Sequence, residues 1–228
     1  MEELRALKQE LLAIQSQLAL VKETAAIRRE FESIGQELAN VKSGKTTGSS
    51  SGASSSSGKS EEQRQLEETI AKVKANDPSL TEVSFVSLQA ATSELANEFA
   101  EALLNNTHVT SVTFVNMKVS NEGARKFAEV LGRNKTLKTL NLETNLLGGE
   151  GITAIANALA DNTTLEELKL ANQRNIAGNA AERELAKAFE TNKTLQKLNI
   201  PIQDASSRNA IDRAITRNKE LARQARRK

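Results

Sequence analysis

A unit of about 28 residues recurs through the C-terminal three quarters of this chain, and it constrains the fold more than any other feature. Five segments, NDPSLTEVSF, NTHVTSVTF, NKTLKTLNL, NTTLEELKL and NKTLQKLNI, each begin with an asparagine turn and run into a short apolar-alternating stretch. Their first apolar residues are Leu80, Val109, Leu137, Leu165 and Leu195, spaced by 29, 28, 28 and 30 residues. Before each later turn lies a helical pattern whose apolar residues fall four apart on one face: Phe99/Leu103, Phe127/Leu131, Ile155/Leu159, Leu185/Phe189 and Ile211/Ile215. Ile70 and Val73 fit an earlier helix.

Strand, turn, helix, turn, repeated at this period, is the pattern of a leucine-rich solenoid. In LKTLNL, Leu137, Leu140 and Leu142 supply the strand's inward side chains, and the following helix runs back to cover them. One such unit cannot close its own core, so units must stack. The expected fold is an α/β leucine-rich repeat right-handed solenoid of five parallel strands and six helices, preceded by an N-terminal coiled-coil helix. Polar SEEQRQLEE at one end and ARQARRK at the other suit terminal caps. Asn145 follows the third strand, but Leu88, Met117, Gln173 and Gln203 stand at the equivalent positions. A regular asparagine ladder is therefore not expected there, and the backbone of those turns needs other partners.

Residues 1–42 are a separate region, rich in good helix formers. Leu4, Leu7, Leu11, Ile14, Leu18 and Val21 alternate three and four apart, a heptad seam read as a self-association or partner-binding surface. A second register through Ile27, Phe31, Ile34, Leu38 and Val41 slips by one residue near KETAA. Residues 43–60, SGKTTGSSSGASSSSGKS, form a Gly/Ser linker, natural or engineered, with almost nothing to bury. The domain reading is 1–42 coiled coil, 43–60 linker and 61–228 repeat domain.

Composition narrows the chemistry. There is no cysteine and a single histidine, His108, so thiolate and multi-histidine metal sites are excluded. No apolar run approaches the roughly 20 residues of a membrane span. A net charge of +2 and six aromatics, all Phe, argue against a nucleic-acid footprint or base-stacking platform. GGEG at Gly148–Gly151 lacks the Lys and Ser/Thr that a phosphate loop places after its glycines. No carboxylate pair suggests acid–base catalysis, so neither an enzyme nor a cofactor is expected.

The repeat LKTLNLETNLLGGEGITAIANALADNTTLEELKL resembles the ribonuclease-inhibitor type of leucine-rich repeat. More narrowly, LNLETNLL, KANDPSLTEVSF and LANQRNIAGNAAERELAKAFETNKTL are similar to the tropomodulin and leiomodin family, with Asn172, Gln173, Gly178, Asn179 and Glu182 at matching positions. That resemblance covers residues 61–228 and implies actin as partner, pointed-end capping of filaments, and a cytoplasmic, cytoskeletal location. Residues 1–60 match neither the family's tropomyosin-binding helices nor its first actin-binding segment, so tropomyosin binding through that half is in doubt. The alternative is a generic repeat adaptor for another protein, its valency set by the coiled coil. A regulator of a small GTPase also has this kind of repeat, but no residue selects it.

Two surface features stand out as partner-binding candidates. The last segment carries Arg208, Arg213, Arg217, Lys219, Arg223, Arg226, Arg227 and Lys228 against Asp212 and Glu220. Such a cluster can steer an acidic partner, and cations near a helix C-terminus also suit the helix dipole. NQRNIAGN is the longest and most polar strand-to-helix turn, and in it Gln173, Arg174 and Asn175 are read as partner contacts. Gly178 is read as the turn residue, Asn179 as the cap of the following helix and Glu182 as its capping-box carboxylate.

Overall fold

The computed structural model of the chain describes residues 61–89 and 91–227. The heptad positions Leu4, Leu7, Leu11, Ile14, Leu18 and Val21, the linker and Lys228 lie outside the described residues. Six helices and five strands alternate: α1 Glu61–Lys74, β1 Glu82–Val86, α2 Ser93–Leu103, β2 Ser111–Val115, α3 Asn121–Arg133, β3 Thr139–Asn141, α4 Gly149–Asp161, β4 Glu167–Lys169, α5 Gly178–Thr191, β5 Lys197–Asn199 and α6 Ala205–Ala225. The strands form one parallel sheet in chain order. Their register, Glu82 beside Ser111, Ser111 beside Thr139, Thr139 beside Glu167 and Glu167 beside Lys197, reproduces the repeat spacing read from the sequence.

The core lies between the sheet and the helix layer. Leu137, Leu140 and Leu142 are buried, as are Phe99/Leu103, Phe127/Leu131, Ile155/Leu159 and Leu185/Phe189. Phe114 on β2 sits at the centre of an aromatic group, with ring centroids 4.4 Å from Phe99, 5.8 Å from Phe85 and 6.1 Å from Phe127. At the ends, α1 buries Leu66, Ile70 and Val73, and α6 buries Ser207, Ile211, Ala214 and Asn218.

The recurring asparagines do more than turn the chain. Asn106, Asn134, Asn162 and Asn192 are all buried at the helix-to-strand corner. Each carboxamide oxygen accepts from backbone N–H groups two and three residues on, as Asn134 does from Thr136 and Leu137 at 2.8 and 2.9 Å. Each amide nitrogen donates to the preceding coil: Asn106 to Val73, Asn134 to Leu103 and Asn106, Asn162 to Leu131, Asn192 to Leu159 and Asn162. The ladder satisfies carbonyls left orphaned at helix C-termini and ties every coil to the one before. Asn218 of α6 closes it, donating to Asn192 and Leu195 carbonyls.

At the opposite, strand-to-helix corner, Ser87, Asn116, Thr144 and Asn172 occupy the same place in successive coils with φ between 54° and 59°. Left-handed backbone there turns their N–H groups onto the next coil: Ser87 to Val115, Asn116 to Glu143 and Thr144 to Ala171. Gly151 has a different task. A Cβ there would lie 2.8 Å from Asn121 Oδ1 and 2.9 Å from Ala124 Cβ, so α4 needs glycine to close on α3.

Candidate functional site

Of the sequence candidates, Gln173, Arg174 and Asn175 lie on the turn between β4 and α5, and the basic residues lie on α6. The turn is held by side-chain amides at the post-strand position of two coils, with no regular asparagine ladder through the stack. Asn145 accepts from Met117 and Val119 N–H through Oδ1 and donates through Nδ2 to Phe114, Leu142 and Glu143 carbonyls. One coil later Gln173 does the same with one more methylene: Oε1 accepts from Leu147 N–H at 3.1 Å, and Nε2 donates to Leu142 at 2.7 Å and Leu170 at 3.1 Å. Asn175 donates to the Leu146 carbonyl at 2.6 Å, and Arg174 N–H donates to the Asn145 carbonyl. The side chains of Gln173 and Asn175 thus hold the turn against the preceding coil, while that of Arg174 projects from it, exposed.

Gly178 has φ +78° with open space around the place of a Cβ, so it is there for its backbone, as the sequence suggested. The reading of Asn179 and Glu182 is corrected. The residue preceding α5 is Ala177 in a helical conformation, with no side-chain cap, and Asn179 is already inside the helix. Glu182 therefore sits too deep to form a capping box. It is 3% exposed, and its carboxylate accepts from Gln203 N–H at 3.1 Å and Asp204 N–H at 2.8 Å. Glu182 thus accepts amides of the fifth turn from the preceding helix, as Asn145 and Gln173 accept those of the second and third turns from the following coil.

That contact sets the start of α6. Asp204 caps it, accepting from Ser207 N–H at 2.8 Å and Ser207 Oγ at 2.6 Å. The Ser207 hydroxyl and N–H hold the Asp204 carboxyl below the usual carboxylate range. Ser207, Ile211, Ala214 and Asn218 recur three and four apart and turn one face of α6 inward, which fixes where each cation points.

The cations then divide. Arg217 is half-buried and donates to the Phe189 carbonyl at 2.9 Å and the Asn192 carbonyl at 2.6 Å, covering the C-terminus of α5. Arg208 donates to the carbonyls of Ile202 and Gln203. Arg213 donates to Asn209 of its own helix, and Arg223 pairs with Glu220 at 3.3 Å, both exposed. Lys219, Arg226 and Arg227 are exposed and form no ion pair among the described residues.

Two residues that the sequence reading passed over join this surface. Ile176, between Arg174 and Ala177, is 84% exposed, the most exposed large apolar side chain among the described residues. It borders a cleft of about 220 Å³ floored by Ile152 and Leu170 and walled by Pro201 and Gln203. Lys118 lines a second groove with Ser87, Asn116, Thr144 and Arg174, and no carboxylate lines it. Lys118 escaped notice because only folding brings it across two coils toward Arg174. Among the described residues no acidic or histidine cluster could hold a metal ion, and no helix is long and apolar enough to cross a membrane.

Comparison with known proteins gives one family. The TMOD/LMOD Leucine-rich domain matches residues 62–221. The solved structure described as leiomodin-1 actin-binding site 2 is 38% identical, with a TM-score of 0.69, and the match covers 71% of this chain and 93% of that one. The tropomodulin C-terminal domain of Caenorhabditis elegans is 26% identical, with a TM-score of 0.67, covering 71% of this chain and 97% of that one. Among curated proteins none matches the chain.

Proposed function

Because the chain belongs to the tropomodulin/leiomodin leucine-rich domain family, we propose that it binds actin, using the exposed face of α6 and the strand-to-helix rim. The observation that carries the reading is the division of the cations. Lys219, Arg226 and Arg227 are not consumed by the fold, whereas Arg217 and Arg208 are tied to backbone carbonyls. Lys118 and Arg174 extend the positive surface along the rim, beside the exposed Ile176. Such a surface fits an acidic partner, through steering and rim ion pairs around an apolar contact. The neighbour described as leiomodin-1 actin-binding site 2 supports actin as that partner.

At the pointed end of a filament, occupancy of the terminal subunits would block both addition and loss without any covalent step. Arg213 and Arg223 belong to the same proposed face, while Gln173, Asn175 and Arg217 act by holding its scaffold. Residues 1–42 would supply copies or a second target through the heptad seam, and the whole would reside on the cytoskeleton.

Co-sedimentation with actin filaments tests the binding. Replacing Lys219, Arg226 and Arg227 together by Ala should weaken it by roughly 5- to 30-fold at low salt, three exposed pairs being worth about 1–2 kcal/mol together. Affinity unchanged by the triple replacement removes α6 from the interface. Elongation of filaments with blocked barbed ends tests capping separately: binding without slowed pointed-end growth at micromolar protein refutes capping and leaves actin binding standing.

A further inference from the structure

The described residues form six helices and five strands, and among them the helix without a preceding strand is α1. Each strand begins 8 to 11 residues before the helix that follows it. The equivalent place before α1 falls on SSGASSSS, residues 50–57, which offers one apolar side chain, Ala53, and nothing to fill a core. A strand position beside β1 is therefore vacant among the described residues. It is an open groove lined by Gln65, Glu68 and Lys72 of α1 and by Glu82, Ser84 and Phe85 of β1.

The backbone of β1 is set for pairing on that side. The Thr81 carbonyl accepts from Thr110 and Ser111 N–H, and Ser87 N–H donates to Val115, so the odd-numbered residues face β2. In a parallel ladder the alternate residues face the other way. Glu82, Ser84 and Val86 turn their N–H and C=O groups toward the side where no described strand lies. Natural edges are usually blunted by lysine, proline or short length. The opposite edge has all three: β5 is three residues long, begins with Lys197 and is followed by Pro201. The β1 edge is five residues, EVSFV, with no lysine or proline and with Val86 55% exposed.

We propose that this edge pairs with the β1 edge of a second copy of this chain, antiparallel about Ser84, joining two sheets into one. The edge is self-complementary in that register. Glu82 meets the partner's Val86, Ser84 meets the partner's Ser84, and each of these three pairs can exchange two hydrogen bonds, about six in all. The two copies of Glu82 stand about 13 Å apart, beyond the Debye length at physiological salt. The same two-fold runs α1 antiparallel to its copy. Glu68 and Lys72, 2.8 Å apart on its exposed side, then place acid opposite base across the axis. Parallel addition of a foreign strand would leave the charges of α1 without such partners.

The chain has no cysteine, so one introduced thiol reports alone. The experiment uses the full chain with Ser84→Cys carrying a nitroxide label, and Lys187→Cys, exposed on α5, as the reference. Pairing about Ser84 brings the two labelled Cα atoms to about 5.5 Å. Strong dipolar broadening is expected at position 84 at tens of micromolar protein, relieved by excess unlabelled chain and absent at position 187. Adding Val86→Pro to the labelled chain removes an N–H without a partner in the single chain and should abolish the broadening. Val86→Lys, which keeps the backbone, should reduce it. A spectrum at position 84 as narrow as that at 187 overturns the proposal, even if the chain associates through residues 1–42. Broadening that survives Val86→Pro in a chain with unaltered circular dichroism overturns it as well.

Discussion

Replacing Glu182 should damage the start of α6 more than any other single side-chain truncation on α5. Its carboxylate is 3% exposed and takes the N–H groups of Gln203 and Asp204. A hydrogen bond to a charged acceptor is worth about 1.5–3 kcal/mol net, and two would give about 3–6. Gln203 is exposed and Asp204 half-buried, so water can reach both amides once the carboxylate is gone. The low end applies, and Glu182→Ala should cost about 3 kcal/mol. At about 2–4 °C per kcal/mol for a domain of this size, Tm falls by roughly 6–12 °C. Glu182→Gln keeps one oxygen for the two donors and should cost about 1 kcal/mol. Urea denaturation gives the energies, and hydrogen exchange at residues 203–208 should show the loss concentrated there, because Asp204 caps the helix. A cost below about 0.5 kcal/mol for Glu182→Ala, or equal costs for Ala and Gln, would refute the assignment of Glu182 as the acceptor that seats α6.

Asn192→Ala deletes five side-chain hydrogen bonds and strands the Leu195 N–H inside the stack, so a loss of about 2–5 kcal/mol is expected in urea denaturation. Gly178→Ala should cost about 1–2 kcal/mol, read the same way, because φ is +78° and no atom lies close enough to add a clash. Asp204, its folded value lowered by Ser207, contributes stability that is present above the ordinary Asp value near 3.9 and is lost as pH falls through the folded value. Asp204→Asn caps without titrating. The stability gap between wild type and this variant, compared in urea at pH 7 and pH 3, should shrink at the lower pH; a constant gap would count against the cap's ionisation.

The repeat was legible because its signal is periodic. The spacing of Leu80, Val109, Leu137, Leu165 and Leu195 is the strand register itself. The asparagine at each helix-to-strand corner was visible as a turn residue, but its second role was not, since the carbonyls it serves lie 28 to 33 residues earlier. The structural role of Gln173 was hidden for a related reason. A glutamine among polar loop residues looks like a surface contact, and only the neighbouring coil shows that its extra methylene reaches the Leu142 carbonyl. Asn179 and Glu182, three apart near a helix start, imitate a capping box. The helix begins two residues earlier than that motif needs, and Glu182 turns inward to the next coil.

The same distinction decides what remains for a partner. A solenoid consumes polar groups at both corners, because every coil leaves helix-end carbonyls and turn amides that must be satisfied. Charge counting over α6 treats Arg217 and Lys219 alike, though they are two residues apart. Two residues turn a helix by about 200°, so one points into the stack and the other away. Arg217 is positioned by the buried run Ser207, Ile211, Ala214 and Asn218 and ends on two carbonyls of the preceding coil; Lys219 is left in solvent. The binding surface is therefore what the stack does not use. That residue of unspent groups, Arg174 and Ile176 on the rim and Lys219, Arg226 and Arg227 on the last helix, differs from the surface charge predicts, Lys118 being held to the Gln89 carbonyl, and it is where substitutions should separate actin affinity from stability.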